Sequence, residues 1–439
     1  MTDTARAPLS LSGSAASVDL GRRRSMALAA AAVAFPGFAL AQSRPIKIGY
    51  ITALSGVRAP FGVADEWHLA RMRDMLKNGL EINGKRHAVE IVMKDNQSDP
   101  NRSQQVASDL VLRDKVDLML VQDGDASAPA GQLCDVHGIP MICTMAPWQA
   151  FLFSRNGTVE KGFPFSFTFF WGADDVVKNF VSMWDSIKTN KTVGTLFIDN
   201  PPGQAFADPQ RGMPPGLRGA GYQEVPAGFF KIATDDFSNQ VAAFKAKNAQ
   251  IATGFMFESN FATFWKQAQQ AGYRPEACTM AAAFLFPSAL KALGSAGNGM
   301  STEVWWTPAF PFKSSLTGQS AREFAADWEK STGNQWTQPL GYAHALWETG
   351  IAALKGAADP LDRKSVRDAI RGMSLDTIIG KVDFKNSPIK SVAKTALVGG
   401  QWRRAADGSR FPFELQVVGN PTARHIPVDG ELKLLSQLK

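Results

Sequence analysis

The 439-residue sequence predicts an α/β protein made of two doubly wound parallel-sheet lobes. Three observations support this prediction. A short apolar strand at residues 46–51 ends in a polar, glycine-containing loop, and a helical pattern follows it, which together make half of a crossover unit. The same unit repeats along the chain and begins again near Pro164. A chain of this length also exceeds what one hydrophobic core usually organises.

Residues 1–41 have the pattern of an export signal. The arginines at 22–24 precede an apolar run at 27–40, which ends in small residues just before Gln42. The consecutive arginines favour a twin-arginine signal, and a general secretory signal is the alternative. From this pattern we expect cleavage near Ala41-Gln42 and a periplasmic protein. No later segment approaches the roughly 20 apolar residues of a membrane span, so the mature protein is expected to be soluble.

Charge and composition exclude several classes of function. The chain has 47 Lys+Arg and 40 Asp+Glu, and its basic residues are scattered, so no nucleic acid is expected as a partner. The five histidines are far apart and there is no CxxC pair, so we expect no metal site and no cofactor. The three cysteines allow a bridge between Cys134 and Cys143 or three buried thiols, and an odd count leaves at least one unpaired.

In the first lobe, turn and cap signals separate the predicted elements. The helix after the first strand stops at Asn78-Gly79, and Asn83-Gly84 indicates a tight turn before a strand at 88–94. A helix is predicted to begin at Pro100 with Asp99 as its N-cap. Two further buried strands are predicted at residues 116–121 and 139–143.

Three loops follow strand ends in this lobe, at residues 55–61, 123–127 and 144–148. Because the carboxyl ends of parallel strands meet at one edge of a sheet, we expect these loops to form one side of a site. The candidate ligand-binding residues on them are Ser55, Phe61, Asp123, Asp125, Ser127, Thr144 and Trp148.

The second lobe begins with an aromatic strand. The strands assigned to it lie at 165–171, 192–198, 251–257, 279–283 and 380–384, with a hairpin at 395–418. Strand ends in this lobe add the candidates Trp171, Asn200, Glu258 and Phe284. The long helices near 320–332 and 339–356 are assigned to the first lobe. The predicted lobes are therefore residues 42–163 plus 304–377, and residues 164–303 plus 378–439.

Several candidates have a purely structural alternative. Trp148 and Trp171 are as compatible with packing under the loops as with ligand contact, because tryptophan is highly buried on average. Asp123 and Asp125 have the alternative role of capping the helix that begins near Pro129. Three other aromatic residues are interpreted as core or hinge packing: Trp305, Trp306 and Tyr342.

Several segments occur in a fixed order along the chain: IKIGYITALSG, EIVMKDNQSDPNRSQQVASDLV, DFSNQVAAFKAKNAQI, WKQAQQAGYRP, GYAHALWETGIAALKGAADP and GKVDF. Their order and spacing resemble the solute-binding proteins of ABC importers, in the branched-chain amino acid-binding type. The resemblance implies a type I periplasmic-binding-protein fold with three crossings between lobes that close on a small molecule. It also implies a non-enzymatic monomer whose partners are an amino acid, amide or aromatic ligand and the permease subunits of the inner membrane.

The resemblance places the ligand's carboxylate at residues 55–61, 124–127 and 144–148. Asp123 and Asp125 would repel a carboxylate there unless they point away or are protonated. The family's acid for a ligand ammonium falls at 280–282, where this chain has Met-Ala-Ala, so we expect leucine, isoleucine and valine to bind weakly. Glu258 is a substitute for that acid, and three rings would line a flat pocket: Trp148, Trp171 and Phe284.

Two other classes of function remain open from the sequence. The chain has no GxSxG, HExxH, phosphate-binding glycine loop or GxGxxG, but a Ser/His/Asp set dispersed in sequence would still allow an exported hydrolase. The same fold also serves as a ligand sensor for membrane receptors.

Overall fold

The computed structural model describes residues 44–438. The predicted export signal and its cleavage point lie outside this range. The described chain alternates strands and helices around two large sheets and two small hairpins. Within residues 44–438 no helix is long and apolar enough to cross a membrane.

The strands are β1 Ile46–Thr52, β2 Leu80–Ile82, β3 Lys85–His87, β4 Val89–Asp95, β5 Leu118–Val121, β6 Met141–Cys143, β7 Ser166–Phe169, β8 Thr192–Ile198, β9 Gln223–Phe230, β10 Ile251–Phe255, β11 Ala277–Ala281, β12 Ser301–Val304, β13 Ser374–Thr377, β14 Gly380–Asp383, β15 Val392–Ala393, β16 Val398–Arg404 and β17 Phe413–Gly419. The helices are α1 Ala59–Gly62, α2 Asp65–Leu76, α3 Pro100–Ser108, α4 Ser127–His137, α5 Trp148–Phe153, α6 Ala173–Asp185, α7 Pro201–Ala207, α8 Met213–Gly219, α9 Ser238–Ala246, α10 Glu258–Gln270, α11 Pro287–Leu293, α12 Ala321–Thr332, α13 Gln338–Gly356 and α14 Arg363–Arg371.

The first sheet has six strands in the order β15-β7-β6-β5-β1-β4, all paired in parallel. Both of its faces are covered. Leu118 and Leu120 pack with one apolar cluster, whereas Met119 and Val121, which point to the other face, pack with a second cluster. This is the doubly wound arrangement that the apolar strand patterns predict.

The second sheet has seven strands in the order β17-β16-β12-β11-β10-β8-β9. Strands β8 to β12 pair in parallel, and β16 and β17 form an antiparallel pair at one edge. The hairpin predicted at 395–418 is therefore confirmed. The α/β class with parallel sheets is confirmed as well.

The chain passes between the two sheets three times: after β7, after β12, and between β15 and β16. Two predicted sheet assignments are wrong. Strand β7 belongs to the first sheet, because Met141 of β6 pairs with Ser166. Strand β14 pairs with β13 in a separate hairpin and not with the second sheet. In both cases the local pattern identifies a strand but carries no information about its partner.

Local turn and cap signals are confirmed. The Asp99 side chain accepts a hydrogen bond from Arg102 N at 2.7 Å, as expected of an N-cap. Asn83 and Gly84 both have positive φ, 51° and 74°, between the paired strands β2 and β3. All three cysteines are buried free thiols, so Cys134 and Cys143 are not bridged.

Candidate binding cleft

A small cavity lies between the two sheets, where the carboxyl ends of their strands face each other. Its volume is about 20 Å³, the space of roughly one water molecule. Residues from both sheets and from two of the crossings line it: Arg58, Phe61, Met145, Pro147, Phe170, Trp171, Pro202, Phe255, Ala282, Leu285, Glu303 and Trp305. The predicted candidates Phe61 and Trp171 are among them.

Hydrogen bonds to the neighbouring loop after β4 hold the loop after β1 in place. Asp95 accepts from Leu54 N at 2.9 Å and from Ser55 Oγ at 2.8 Å. Ser98 Oγ accepts from Arg58 N at 3.1 Å and donates to the Ser55 carbonyl at 2.6 Å. Ser55 is exposed and faces Asp95 rather than the cavity, so its ordered contact in this structure is with the loop after β4.

A hydrogen bond to its backbone carbonyl holds Phe61 at the end of this loop. Gln122 Nε2 donates to the Phe61 carbonyl at 2.5 Å. Gly62 is required next to it, because a Cβ there would lie 2.3 Å from the carbonyl oxygen of Ala53. The loop therefore turns sharply and directs the ring of Phe61 across the cleft.

Arg58 is the buried cation of the cleft, with a side chain only 3% exposed. Its Nε donates to Asp123, and its Nη1 lies 3.6 Å from Asp125 Oδ2. Its guanidinium also lies over two rings, 4.5 Å from the centroid of Phe61 and 5.4 Å from the centroid of Phe257. Burial lowers the pKa of Arg58, but the two aspartates outweigh this and raise it, so the guanidinium stays charged.

The two aspartates act on Arg58 and not on a helix end. Helix α4 begins at Ser127 without a side-chain cap, so the capping interpretation of Asp123 and Asp125 is wrong. Asn96 Nδ2 also donates to Asp123 at 2.5 Å. Burial raises the pKa of Asp125, Arg58 opposes this shift, and Asp123 adds to it. The expected repulsion of a carboxylate is therefore moderated by a guanidinium placed between the acids and the cavity.

Aromatic rings cross the cleft from one sheet to the other. The ring of Phe61, from the first sheet's side, makes edge contacts with Phe286 at 4.9 Å and Phe257 at 6.3 Å between centroids. At the crossings, Phe170 lies 4.4 Å from Trp171 and 5.1 Å from Trp305. The cavity wall is therefore largely made of ring faces and edges.

Three residues that line the cavity each carry a buried hydrogen-bond donor. Arg58 Nη2, Trp171 Nε1 and Trp305 Nε1 find no partner among residues 44–438. Buried polar groups in native proteins are nearly always paired, so three such donors at one cavity indicate a place for acceptor atoms.

A carboxyl group also reaches the cavity from an unexpected strand. Glu303 of β12 is 1% exposed, and its Oε1 accepts from the backbone N–H of Ala282 at 3.0 Å. Burial raises the pKa of Glu303 to about 7, against the opposing hydrogen bonds of Thr302 and Ala282. Residues 280–282 have no carboxylate of their own, as the sequence shows, but β12 supplies one from the adjacent position.

Comparison with known sequences decides the family. The profile of a family described as "Periplasmic binding protein" matches residues 45–406. This chain belongs to that family. The resemblance to branched-chain amino acid-binding solute-binding proteins of ABC transporters is confirmed at the level of family and fold.

Solved structures show the same fold. This periplasmic binding protein is similar to the leucine-binding protein LivK of Thermotoga maritima (16% identity, TM-score 0.67, 86% of this chain and 99% of that one). It is similar to LivJ of Streptococcus pneumoniae in complex with isoleucine (19%, 0.66, 86% and 100%). It is also similar to an ABC-transporter solute-binding protein of Rhodopseudomonas palustris BisB5 in complex with 3,4-dihydroxybenzoic acid (18%, 0.66, 87% and 99%).

Four predicted site residues of the binding protein have structural contacts outside the cavity. Thr144 Oγ1 donates to the Phe169 carbonyl at 2.8 Å. Asn200 caps α7 by accepting from Gly203 N at 2.9 Å. The remaining two are Trp148, whose ring lies against Gly172 and Phe153, and Ser127, which is buried at the start of α4.

The last two candidates lie on the second sheet's side. Phe284 packs edge-on against Phe261 at 4.4 Å, and its carbonyl accepts from Trp402 Nε1 at 2.7 Å. Glu258 begins α10, and its Oε2 accepts from Ser288 Oγ at 3.2 Å. Neither residue lines the cavity, so their ligand roles stay predictions from the resemblance.

One Ser/His pair has hydrogen-bond geometry relevant to the hydrolase alternative. Ser314 Oγ lies 2.7 Å from His344 Nε2. Both residues are buried, and Ser314 Oγ already accepts from Leu316 N and Thr317 N, as in a turn. His344 Nδ1 has no partner in the described part of the chain, so this pair lacks the orienting acid of a triad.

Proposed function

We propose that this protein is the extracytoplasmic solute-binding component of an ABC importer. In this role it captures a small organic solute between its two sheets and delivers the solute to a membrane permease. The observation that carries the proposal is the cavity at the facing strand ends, lined by rings and by three buried donors that lack partners among residues 44–438.

Capture requires the two sheets to move apart. A cavity of about 20 Å³ has no room for an organic solute, so a solute enters only an open arrangement. Three crossings between the sheets supply a hinge for this motion. We take each sheet with its helices as one lobe. Because β7 and β15 pair in the first sheet, this moves the lobe boundaries predicted near residues 163 and 377 to the loops after β7 and before β16.

The lining favours a solute with a flat apolar body and an acceptor group. Ring faces such as those of Phe170 and Trp171 stack on planar groups, and Arg58 Nη2 with the two indole N–H groups would bind a carboxylate or carbonyl. The related proteins in complex with isoleucine and with 3,4-dihydroxybenzoic acid both hold carboxylate-bearing solutes.

The cellular setting follows from the family and the leader. Members are periplasmic, and we propose export by the signal at residues 1–41 with cleavage before Gln42. Delivery to a permease is the more specific part of the proposal. The same capture step would also serve a membrane receptor.

A thermal-shift screen tests solute capture. The panel contains leucine, isoleucine, 3,4-dihydroxybenzoate, amides and polyamines, because a ligand of the folded state raises its melting temperature by mass action. A solute that stabilises the protein is then tested by small-angle scattering, which should show compaction. Phe61→Ala should reduce the shift, whereas Phe229→Ala, at a ring 50% exposed outside the cavity lining, should not.

Two results would contradict the proposal. One is a stabilising solute whose shift is the same in both variants, which would place the site elsewhere. The other is normal uptake of that solute by cells whose gene for this chain is deleted, which would remove the transport role while leaving capture intact.

A further inference from the structure

Glu303 lies beside the cavity, near the end of a strand of the second sheet. It is next to last in β12, which pairs in parallel with β11, and it faces the point where β11 ends. There the backbone of Ala282 turns to φ 65°, which is uncommon for a residue other than glycine, and its N–H donates to Glu303 Oε1. Glu303 thus holds a turn in the cavity wall and lines the cavity itself.

The hydrogen bonds of Thr302 indicate whether the Glu303 side chain is a carboxylate or a carboxylic acid. The Thr302 hydroxyl has one hydrogen, yet it lies 2.7 Å from Glu303 Oε2 and 3.1 Å from the Met280 carbonyl oxygen. If Glu303 were a carboxylate, the hydroxyl would satisfy only one of these two acceptors. If Glu303 carries a proton on Oε2, it donates to Thr302 and Thr302 donates to Met280, so all three oxygens are served.

The surroundings support the neutral acid. Burial is the largest influence on Glu303 and raises its pKa to about 7. Arg58 is the other charged residue among those lining the cavity, and it already pairs with Asp123 and Asp125. The remaining neighbour with a side-chain contact is Gln338, whose Nε2 donates to the Glu303 carbonyl and not to its carboxyl group.

We propose that Glu303 determines the specificity of the cleft as a carboxylic acid hydrogen-bonded through Thr302 to Met280. As a neutral acid whose proton is already donated to Thr302, it favours solutes with an uncharged body and disfavours solutes with an ammonium group. An acceptor group on the solute would be bound by Arg58 Nη2 and the two indole N–H groups. An ammonium would require Glu303 to ionise. The Thr302 hydroxyl would then have two acceptors for its one hydrogen, so either Glu303 Oε2 or the Met280 carbonyl would lose its hydrogen bond. This assignment rests on the proposed solute-binding function.

Infrared difference spectroscopy on the ligand-free protein tests the protonation. At about pH 6 an ordinary glutamate is ionised, so a carboxylic acid carbonyl band from Glu303 stands apart from most other acids. Wild-type protein should show such a band that Glu303→Gln lacks, and Glu414→Gln, at an exposed residue of β17, should retain it. Identical spectra for wild type and Glu303→Gln in that region would overturn the proposal.

Calorimetry with two probes tests the selection. Glutamine copies the donor and acceptor pattern of the neutral acid, so at about pH 6 Glu303→Gln should bind 3,4-dihydroxybenzoate within about threefold of wild type. Leucine should bind both proteins at least about tenfold more weakly. If wild type binds leucine tightly and the variant loses about tenfold or more, Glu303 is an ammonium partner and the proposal is wrong. If no solute of the thermal-shift panel binds, the proposed function fails, and the infrared result still decides the state of Glu303.

Discussion

Asp65→Asn is expected to make the stability of the protein less dependent on pH. Asp65 of α2 is 1% exposed, and it accepts from Tyr50 at 3.0 Å and is hydrogen-bonded to Thr52. The Thr52 hydroxyl also lies 3.5 Å from Gln122 Oε1. A neutral Asp65 that donates to Thr52 lets Thr52 donate onward, and asparagine reproduces that pattern with its amide.

The magnitude follows from the pKa. Burial outweighs the hydrogen bonds of Thr52 and Tyr50 and raises the pKa of Asp65 from 3.8 to about 7. Between these values the folded protein keeps a proton that the unfolded chain has lost, so stability falls as the pH rises through this interval. About three pKa units correspond to about 4 kcal/mol of unfolding free energy, which is fully present below about pH 4 and lost by about pH 7.

Urea unfolding at a series of pH values measures this effect. The difference in unfolding free energy between Asp65→Asn and wild type should grow in favour of the variant from about pH 4 to about pH 7 and then level off. Asp407→Asn, at an exposed position between β16 and β17, serves as the control and should run parallel to wild type. A parallel curve for Asp65→Asn would refute the raised pKa and the hydrogen count together.

Three further predictions concern the cleft. Arg58→Met should destabilise the fold by about 3–5 kcal/mol in urea unfolding, because it leaves Asp123 buried without its cation. Adding Asp123→Asn should recover much of this loss of stability. No recovery would disprove the pairing. Trp171→Phe keeps a ring but removes an N–H, so a confirmed solute should bind about fivefold more weakly by calorimetry, whereas Trp148→Phe, outside the cavity lining, should bind it normally. Glu258→Gln should change affinity by less than about twofold, because its carboxylate faces Ser288; a larger loss for a cationic solute would restore Glu258 to the site.

Local sequence signals were enough to predict most of the fold. The strand at Thr192–Ile198 and the helix after Asp99 were predictable because an apolar run and a cap act within a few residues. Sheet membership was not predictable for β7, because pairing with β6 depends on a surface formed elsewhere in the chain. The apolar pattern of a strand is the same whichever sheet buries it.

The site was harder to predict for the same reason. Phe61 and Trp171, which line the cavity, could be named from the sequence because they follow strand ends, whereas Phe284 follows one too and is buried in the core. Arg58 was missed, since its importance comes from Asp123, 65 residues further along. Glu303 was missed because it acts beside Ala282 from the neighbouring strand, and only sheet pairing shows that.

The ring contacts of Phe61 across the cleft have a kinetic consequence. Its edge contacts with Phe257 and Phe286 hold the two sheets together, each contributing about 0.5–1.5 kcal/mol beyond area burial. In the proposed capture cycle these contacts oppose opening, so the open form that admits a solute would exchange with a closed form in a pre-existing equilibrium. A solute must wait for that opening, so its observed association rate should reach a plateau at high concentration instead of rising linearly. The opening rate would then set the ceiling on how fast this protein can load.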